Sequence, residues 1–248
     1  DMTAQGVANT LWAAAKLELD QAPVEVVLPV ILNQMVLVVG SMNSREVSHT
    51  LGAFVKLQVD SAQQEVMLPR LLSRLFEVVG DMTALDVAST LPSIGRLDIA
   101  KGAVRPIVPR LVKRAQQVVD QMRPREMAAS VCSLATPSFE RDETIAPFLD
   151  SVAAKVAQDA SHWSDEDAAA ALPRLASAFA TLQGRASWDP KLAQAIAARP
   201  AGMVTGLETN RLEMLAWAFE AMPEGEGWAA IMTADFRRAL REESAARR

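Results

Sequence analysis

Methionine returns at Met2, Met42, Met82 and Met122, and this forty-residue spacing constrains the fold more than any other feature of the chain. Matching columns follow each one: Val7, Val47, Val87 and Met127; Thr10, Thr50, Thr90 and Ser130; Leu11, Leu51, Leu91 and Val131. Lys16, Lys56 and Arg96 share a column, as do Leu17, Leu57 and Leu97, and further on Pro29, Pro69 and Pro109. A fourth unit keeps only its first half, MRPREMAASVCSLA. A fifth begins at Trp163 and a sixth near Leu207, where LAWAFEAM resembles TLWAAAKL.

Each unit divides into two helical patterns. The first places Val7, Leu11 and Leu17 on a packed side with Ala8, Ala14 and Ala15 between them. The second is typified by Leu68, Leu71, Leu72, Leu75 and Val79. Capping chemistry stands before the first pattern: Asn43 with Glu46, Thr83 with Asp86, Ser164 with Asp167, and Pro124 at a first helical position. Gly40 and Gly80 suit a left-handed residue after a helix end. The prolines at 29, 69 and 109 imply that the second helix starts late, near residues 25–28 in unit one, or bends. Pro92 and Pro173 are expected to interrupt first helices. Abundant alanine, few aromatics and no tyrosine favour helix over sheet.

A helix pair of this kind cannot bury its apolar face alone, so stacking is required. The expected fold is all-α, a right-handed α-solenoid of about six two-helix repeats in one array over 1–248. The repeats fall near 2–41, 42–81, 82–121, 122–162, 163–206 and 207–248. The chain does not start with methionine, so a mature form or a piece of a longer protein is expected.

Several functions are disfavoured at this level. Cys132 is the sole cysteine and His49 and His162 are the two histidines, so neither a disulfide framework nor a zinc cluster is expected. The most apolar stretch, Val24 to Val39, carries Glu25, Pro29, Asn33 and Gln34 and would span only about 24 Å as a helix, too short and polar for a bilayer. No phosphate-binding glycine loop, metal-ligand spacing or nucleophile with an assembled base is visible. A non-catalytic protein without cofactors is expected. Asp165, Glu166 and Asp167 are explained by a helix N-terminus.

The stretch VANTLWAAAKL resembles the octotricopeptide repeat family, through Leu11, Trp12, Ala13, Ala15, Lys16 and Leu17. The likeness is partial at Leu51, Lys56 and Leu57 and at Trp217, Ala218 and Met222. Heptatricopeptide and RAP-associated repeats look similar. The resemblance implies a helical-repeat protein of a mitochondrion or plastid. Such a protein binds organellar RNA, single-stranded or structured, in maturation or stability, or as part of a ribonucleoprotein such as a mitoribosome.

Two stripes are candidates for that contact. On the first helices, residues one turn apart form Gln5, Asn9, Trp12 and Lys16; then Arg45, His49, Gly52 and Lys56; then Leu85, Ser89, Pro92 and Arg96. The middle positions vary while the cation stays, as expected if each unit offered a different group to a base and a steady charge to phosphate. A solvated face free to vary is the competing explanation. On the second helices stand Arg70 and Arg74, then Arg110, Lys113 and Arg114, and unit three carries a net charge of +3 within a chain of −5. Trp12 and Trp217 share a column; each either stacks on a base or, as the commoner use, packs into the next repeat. Thr10, Thr50 and Thr90 are expected to bond back to a carbonyl one turn earlier or to allow close helix approach.

Unit one differs by placing Val30 and Leu37 where later units have Arg70, Glu77, Arg110 and Gln117. Outward-facing apolar residues there point to a protein interface, or to upstream sequence that covers them. The alternative function is therefore a protein-binding scaffold or accessory subunit of a large organellar complex.

Overall fold

A computed structural model describes residues 2–17, 21–97, 106–136, 139, 144–182, 206–221, 238–239, 242–243 and 245–246. The protein is all-helical, with ten α-helices and no strand among the described residues. They are α1 (Ala4–Lys16), α2 (Gln21–Val38), α3 (Ser44–Lys56), α4 (Ser61–Val78), α5 (Ala84–Arg96), α6 (Val108–Gln117), α7 (Pro124–Leu134), α8 (Ile145–Asp159), α9 (Asp165–Thr181) and α10 (Thr209–Glu220). Single 3₁₀ turns at Val39–Ser41, Val79–Asp81, Val119–Gln121 and Ala160–His162 lead into α3, α5, α7 and α9. Two compact units divide the chain at residues 115 and 116.

In residues 1–115, α3 packs between α1 and α5, α2 packs on α1, and α4 packs on α3. Val7, Leu11, Val47, Leu51, Phe54, Val87 and Leu91 are buried along the first helices, and Met35, Leu71 and Leu75 along the second. Full burial of such side chains contributes about 1.5–3 kcal/mol each. The starts of α3 and α5 carry the expected capping boxes. Glu46 N donates to Asn43 Oδ1 at 3.0 Å and Asn43 N to Glu46 Oε2 at 2.8 Å. Thr83 and Asp86 do the same at 3.2 and 3.0 Å. Thr3 caps α1 by accepting from Gly6 N.

Three contacts that local spacing does not reveal tie α2, α4 and α6 to the residues just before α1, α3 and α5. Gln34 Nε2 donates to the Met2 carbonyl at 3.4 Å, Arg74 Nε to Met42 O at 2.6 Å, and Arg114 Nε to Met82 O at 2.8 Å. The buried Met42 and Met82 side chains thus sit beside backbone oxygens that arginines satisfy.

In residues 116–248, α9 packs between α7 and α10, and α8 packs on α7. Met127, Val131, Phe148, Val152, Leu172, Leu175 and Leu215 form its core. Pro124 is the first residue of α7, where its missing N–H removes no helix bond. Ser164 caps α9 by accepting from Asp167 N at 3.1 Å.

Several local expectations are corrected. Pro29 and Pro69 lie inside α2 and α4 rather than ahead of a late start, and both are exposed, so water can serve the carbonyl each deprives of a donor. Pro109 alone is near a helix start, as the second residue of α6. Pro92 and Pro173 sit within α5 and α9 without ending them. Gly40 and Gly80 take no left-handed conformation; they occupy 3₁₀ turns in open space, and Asp120 fills the same place in the third turn. Leu17 is not core: it is the C-cap of α1 and 66% exposed. Thr10 and Thr50 bond back to Gly6 and Glu46 carbonyls at 2.7 and 2.8 Å, whereas buried Thr90 does not. The carbonyl one turn before Thr90, that of Asp86, accepts instead from Ser48 Oγ at 3.2 Å.

Candidate functional site

The exposed edges of α1, α3 and α5 form one groove of about 760 Å³ in the first unit. From α1 come Asn9, Trp12 and Lys16; from α3, Arg45, Ser48, His49, Gly52 and Lys56; from α5, Leu85, Asp86, Ser89, Pro92, Ser93 and Arg96. Side chains one turn apart on a helix share a face, and three helices packed in order set three such faces side by side. The first-helix stripe read from the sequence is therefore brought together almost whole. Gln5 is exposed on α1 but is not among the residues lining the groove.

The groove is cationic within an acidic chain. Lys16, Arg45, Lys56 and Arg96 line it, and none of them enters an ion pair among the described residues. The one carboxylate lining it among the described residues, Asp86, is buried and committed to the α5 cap, accepting from Thr83 N at 3.0 Å and Thr83 Oγ1 at 2.8 Å. Like charges lining one concave surface raise the local potential and attract polyanions, whatever the net charge of the whole chain.

Trp12 is not a core residue. It is 44% exposed and stacks on His49 of α3, with ring centroids 5.6 Å apart and planes 22° from parallel. Burial holds the His49 imidazole below its usual pKa, the neighbouring Arg45 charge adds to that, and Asp86 opposes it. His49 is therefore neutral at neutral pH. The tryptophan does reach the next helix, as the sequence suggested, while leaving a large part of its ring open to the groove.

The second-helix stripe is not part of this site. Arg70, Arg74, Arg110, Lys113 and Arg114 do not line the groove. Arg74 and Arg114 hold the methionine carbonyls, and Arg74 also pairs with Glu77 at 2.6 Å. The Arg110 guanidinium lies 3.7 Å over the Phe76 ring, a cation–π contact between α6 and α4. Arg70 and Lys113 are exposed. Lys101 and Arg105, which add to the +3 of unit three, lie outside the described residues.

Ser48, Asp86 and Ser93 also line the groove although the one-turn stripe omits them. Ser48 and Asp86 tie α3 to α5, and Ser93 Oγ donates to Ser89 O at 2.7 Å. Their position one residue beside the stripe was the available signal.

On α2, Val30 is 68% and Leu37 76% exposed, away from the groove. In the second unit Cys132 donates its thiol to Arg174 O at 3.5 Å, and burial pushes its pKa up, so it is a protonated thiol at neutral pH. No cluster of metal-ligating side chains occurs among the described residues, and no described helix is long and apolar enough to cross a membrane. No protein-family model matches the chain, and no curated protein matches it significantly.

Proposed function

We propose that this chain is a non-catalytic RNA-binding protein of a mitochondrion or plastid, built as a right-handed α-solenoid of about six two-helix repeats. It acts in RNA maturation or stability, or within a ribonucleoprotein such as a mitoribosome. The carrying observation is the groove over α1, α3 and α5, where Lys16, Arg45, Lys56 and Arg96 stand without an ion-pair partner among the described residues, beside a half-open aromatic ring. Phosphates meet the cations and an unpaired base meets the ring, which is the pairing of contacts that single-stranded nucleic acid requires. The octotricopeptide resemblance of VANTLWAAAKL supports the same reading and supplies the organelle.

Fluorescence polarisation with a labelled single-stranded RNA of about twelve nucleotides tests it. Binding at low salt that weakens as salt rises is the expected outcome. No binding at 20–50 mM salt, on the order of the low-salt range where such contacts are strongest, would exclude this function.

Val30 and Leu37 favour a second reading, a protein-binding scaffold or accessory subunit of an organellar complex, because two large apolar side chains on one helix stand mostly in water. Val30→Asp with Leu37→Asp should release a partner in pull-down and leave RNA affinity unchanged. A partner that stays bound would remove that surface from consideration.

A further inference from the structure

Gly52 lacks the usual reasons for a glycine within a helix. It lies inside α3, in right-handed helical backbone, where glycine is disfavoured relative to alanine. A Cβ built on it meets one atom within 4 Å, Ser93 Oγ, at 3.8 Å, which is ordinary contact. Gly6 of α1 makes the contrast: a Cβ there would come within 3.3 Å of the capping Thr3 Oγ1. Neither backbone conformation nor helix packing therefore calls for glycine at position 52.

What Gly52 does is leave space in the groove. The corresponding positions on the flanking helices are Trp12 on α1 and Pro92 on α5, and all three line the same surface. His49, one turn before Gly52, is the ring on which Trp12 stacks. A gap without a side chain thus adjoins two stacked rings and a proline, with Arg45 and Lys56 on the same helix.

We infer that the notch over Gly52 is a nucleobase subsite, in which one unstacked base of a single-stranded RNA lies against Trp12 and His49 while the cations hold its phosphates. Glycine where a ligand approaches the backbone closely, beside an aromatic surface, is the arrangement that a flat, apolar-faced ring needs. The charge of the groove selects the polyanion, and the notch distinguishes a base-bearing strand from a bare phosphate chain. This inference rests on the RNA-binding reading above.

The test compares a twelve-nucleotide single-stranded RNA with an abasic ribose-phosphate strand of equal charge, on the full chain. Wild type should favour the base-bearing strand by at least about fivefold, the lower end of what one stacked base contributes. Gly52→Leu should erase that preference without changing the salt dependence. Gly52→Ala should raise Tm by about 2–4 °C, since alanine is the better helix former, and weaken RNA binding by less than about threefold. Should Gly52→Leu unfold the protein, Trp12→Ala serves in its place, with the same loss of preference at unchanged salt slope. Equal affinity for the two strands in wild type, or a preference that survives both Gly52→Leu and Trp12→Ala, overturns the notch while leaving RNA binding intact. Failure of both strands to bind would instead overturn the RNA reading. An acidic peptide of equal charge that binds as tightly as RNA would assign the groove to a protein segment and overturn both.

Discussion

The groove edges of α1, α3 and α5 and the edges of α7, α9 and α10 that align with them in the sequence pattern differ in chemistry. On the first set the columns hold Asn9, Trp12, Lys16, Arg45, His49, Lys56 and Arg96, with cations outside any ion pair among the described residues. On the second they hold Arg125, Ala129, Cys132, Glu166, Ala170, Pro173, Met214 and Trp217. The one cation of that set, Arg125, pairs with Glu166 and, at 3.3 Å, with Asp167. Trp217 is 47% exposed, much like Trp12, but no lysine or arginine stands four residues after it. The two edges differ in the number of cations, four against one, and in whether a carboxylate among the described residues pairs with them.

The largest effect should come from removing the groove cations. Lys16→Gln, Lys56→Gln and Arg96→Gln together are expected to weaken RNA binding by about two orders of magnitude near 150 mM salt or below, if each meets one phosphate. Arg125→Gln, in the matched column of the second unit, should leave affinity unchanged. If the two variants behaved alike in polarisation assays, the contrast between the edges would be meaningless.

Next in size is a stability difference among the second-helix arginines. Arg74→Met removes the donor to the Met42 carbonyl and should lower unfolding free energy by about 1–2 kcal/mol in urea titration. Arg70→Met, four residues away and exposed, should stay within about 0.5 kcal/mol. Equal losses would show that the methionine carbonyl contact contributes nothing particular.

The smallest effect is in pH. His49 is held below its ordinary pKa by burial and by Arg45, against Asp86, so it carries no charge at pH 7. Acidification protonates it and adds a cation beside Arg45 and Lys56. RNA affinity should rise a few-fold, about the worth of one phosphate contact, as pH falls below the 6.5 of an ordinary histidine. Bound phosphate would favour the protonated form further. His49→Gln should flatten that rise, and a variant that keeps the full pH dependence would assign it elsewhere.

Helix existence and caps were legible because their causes are local. Asn43 and Glu46, or Thr83 and Asp86, need only three residues to recognise each other, and Val7 and Leu11 need only one turn. The groove stripe was legible for the same reason. Roles set by tertiary partners were not. Arg74 and Arg114 look like surface cations until the carbonyls of Met42 and Met82, thirty-two residues back, are in place. Trp12 shares its stripe with Gln5, Asn9 and Lys16, and only the approach of His49 from α3 shows that it covers one ring and leaves the rest open. Pro29 and Pro69 look like boundaries because the local penalty is large, but their exposed positions let the helices run through.

The salt dependence of RNA affinity, measured side by side for wild type and the Lys16→Gln, Lys56→Gln, Arg96→Gln variant, bears most directly on the groove. With four cations engaged, the slope of log K against log salt should be about −3, falling to about −0.7 in the variant. The same slope in both proteins, or no binding by wild type at low salt, would contradict the assignment of this groove to RNA.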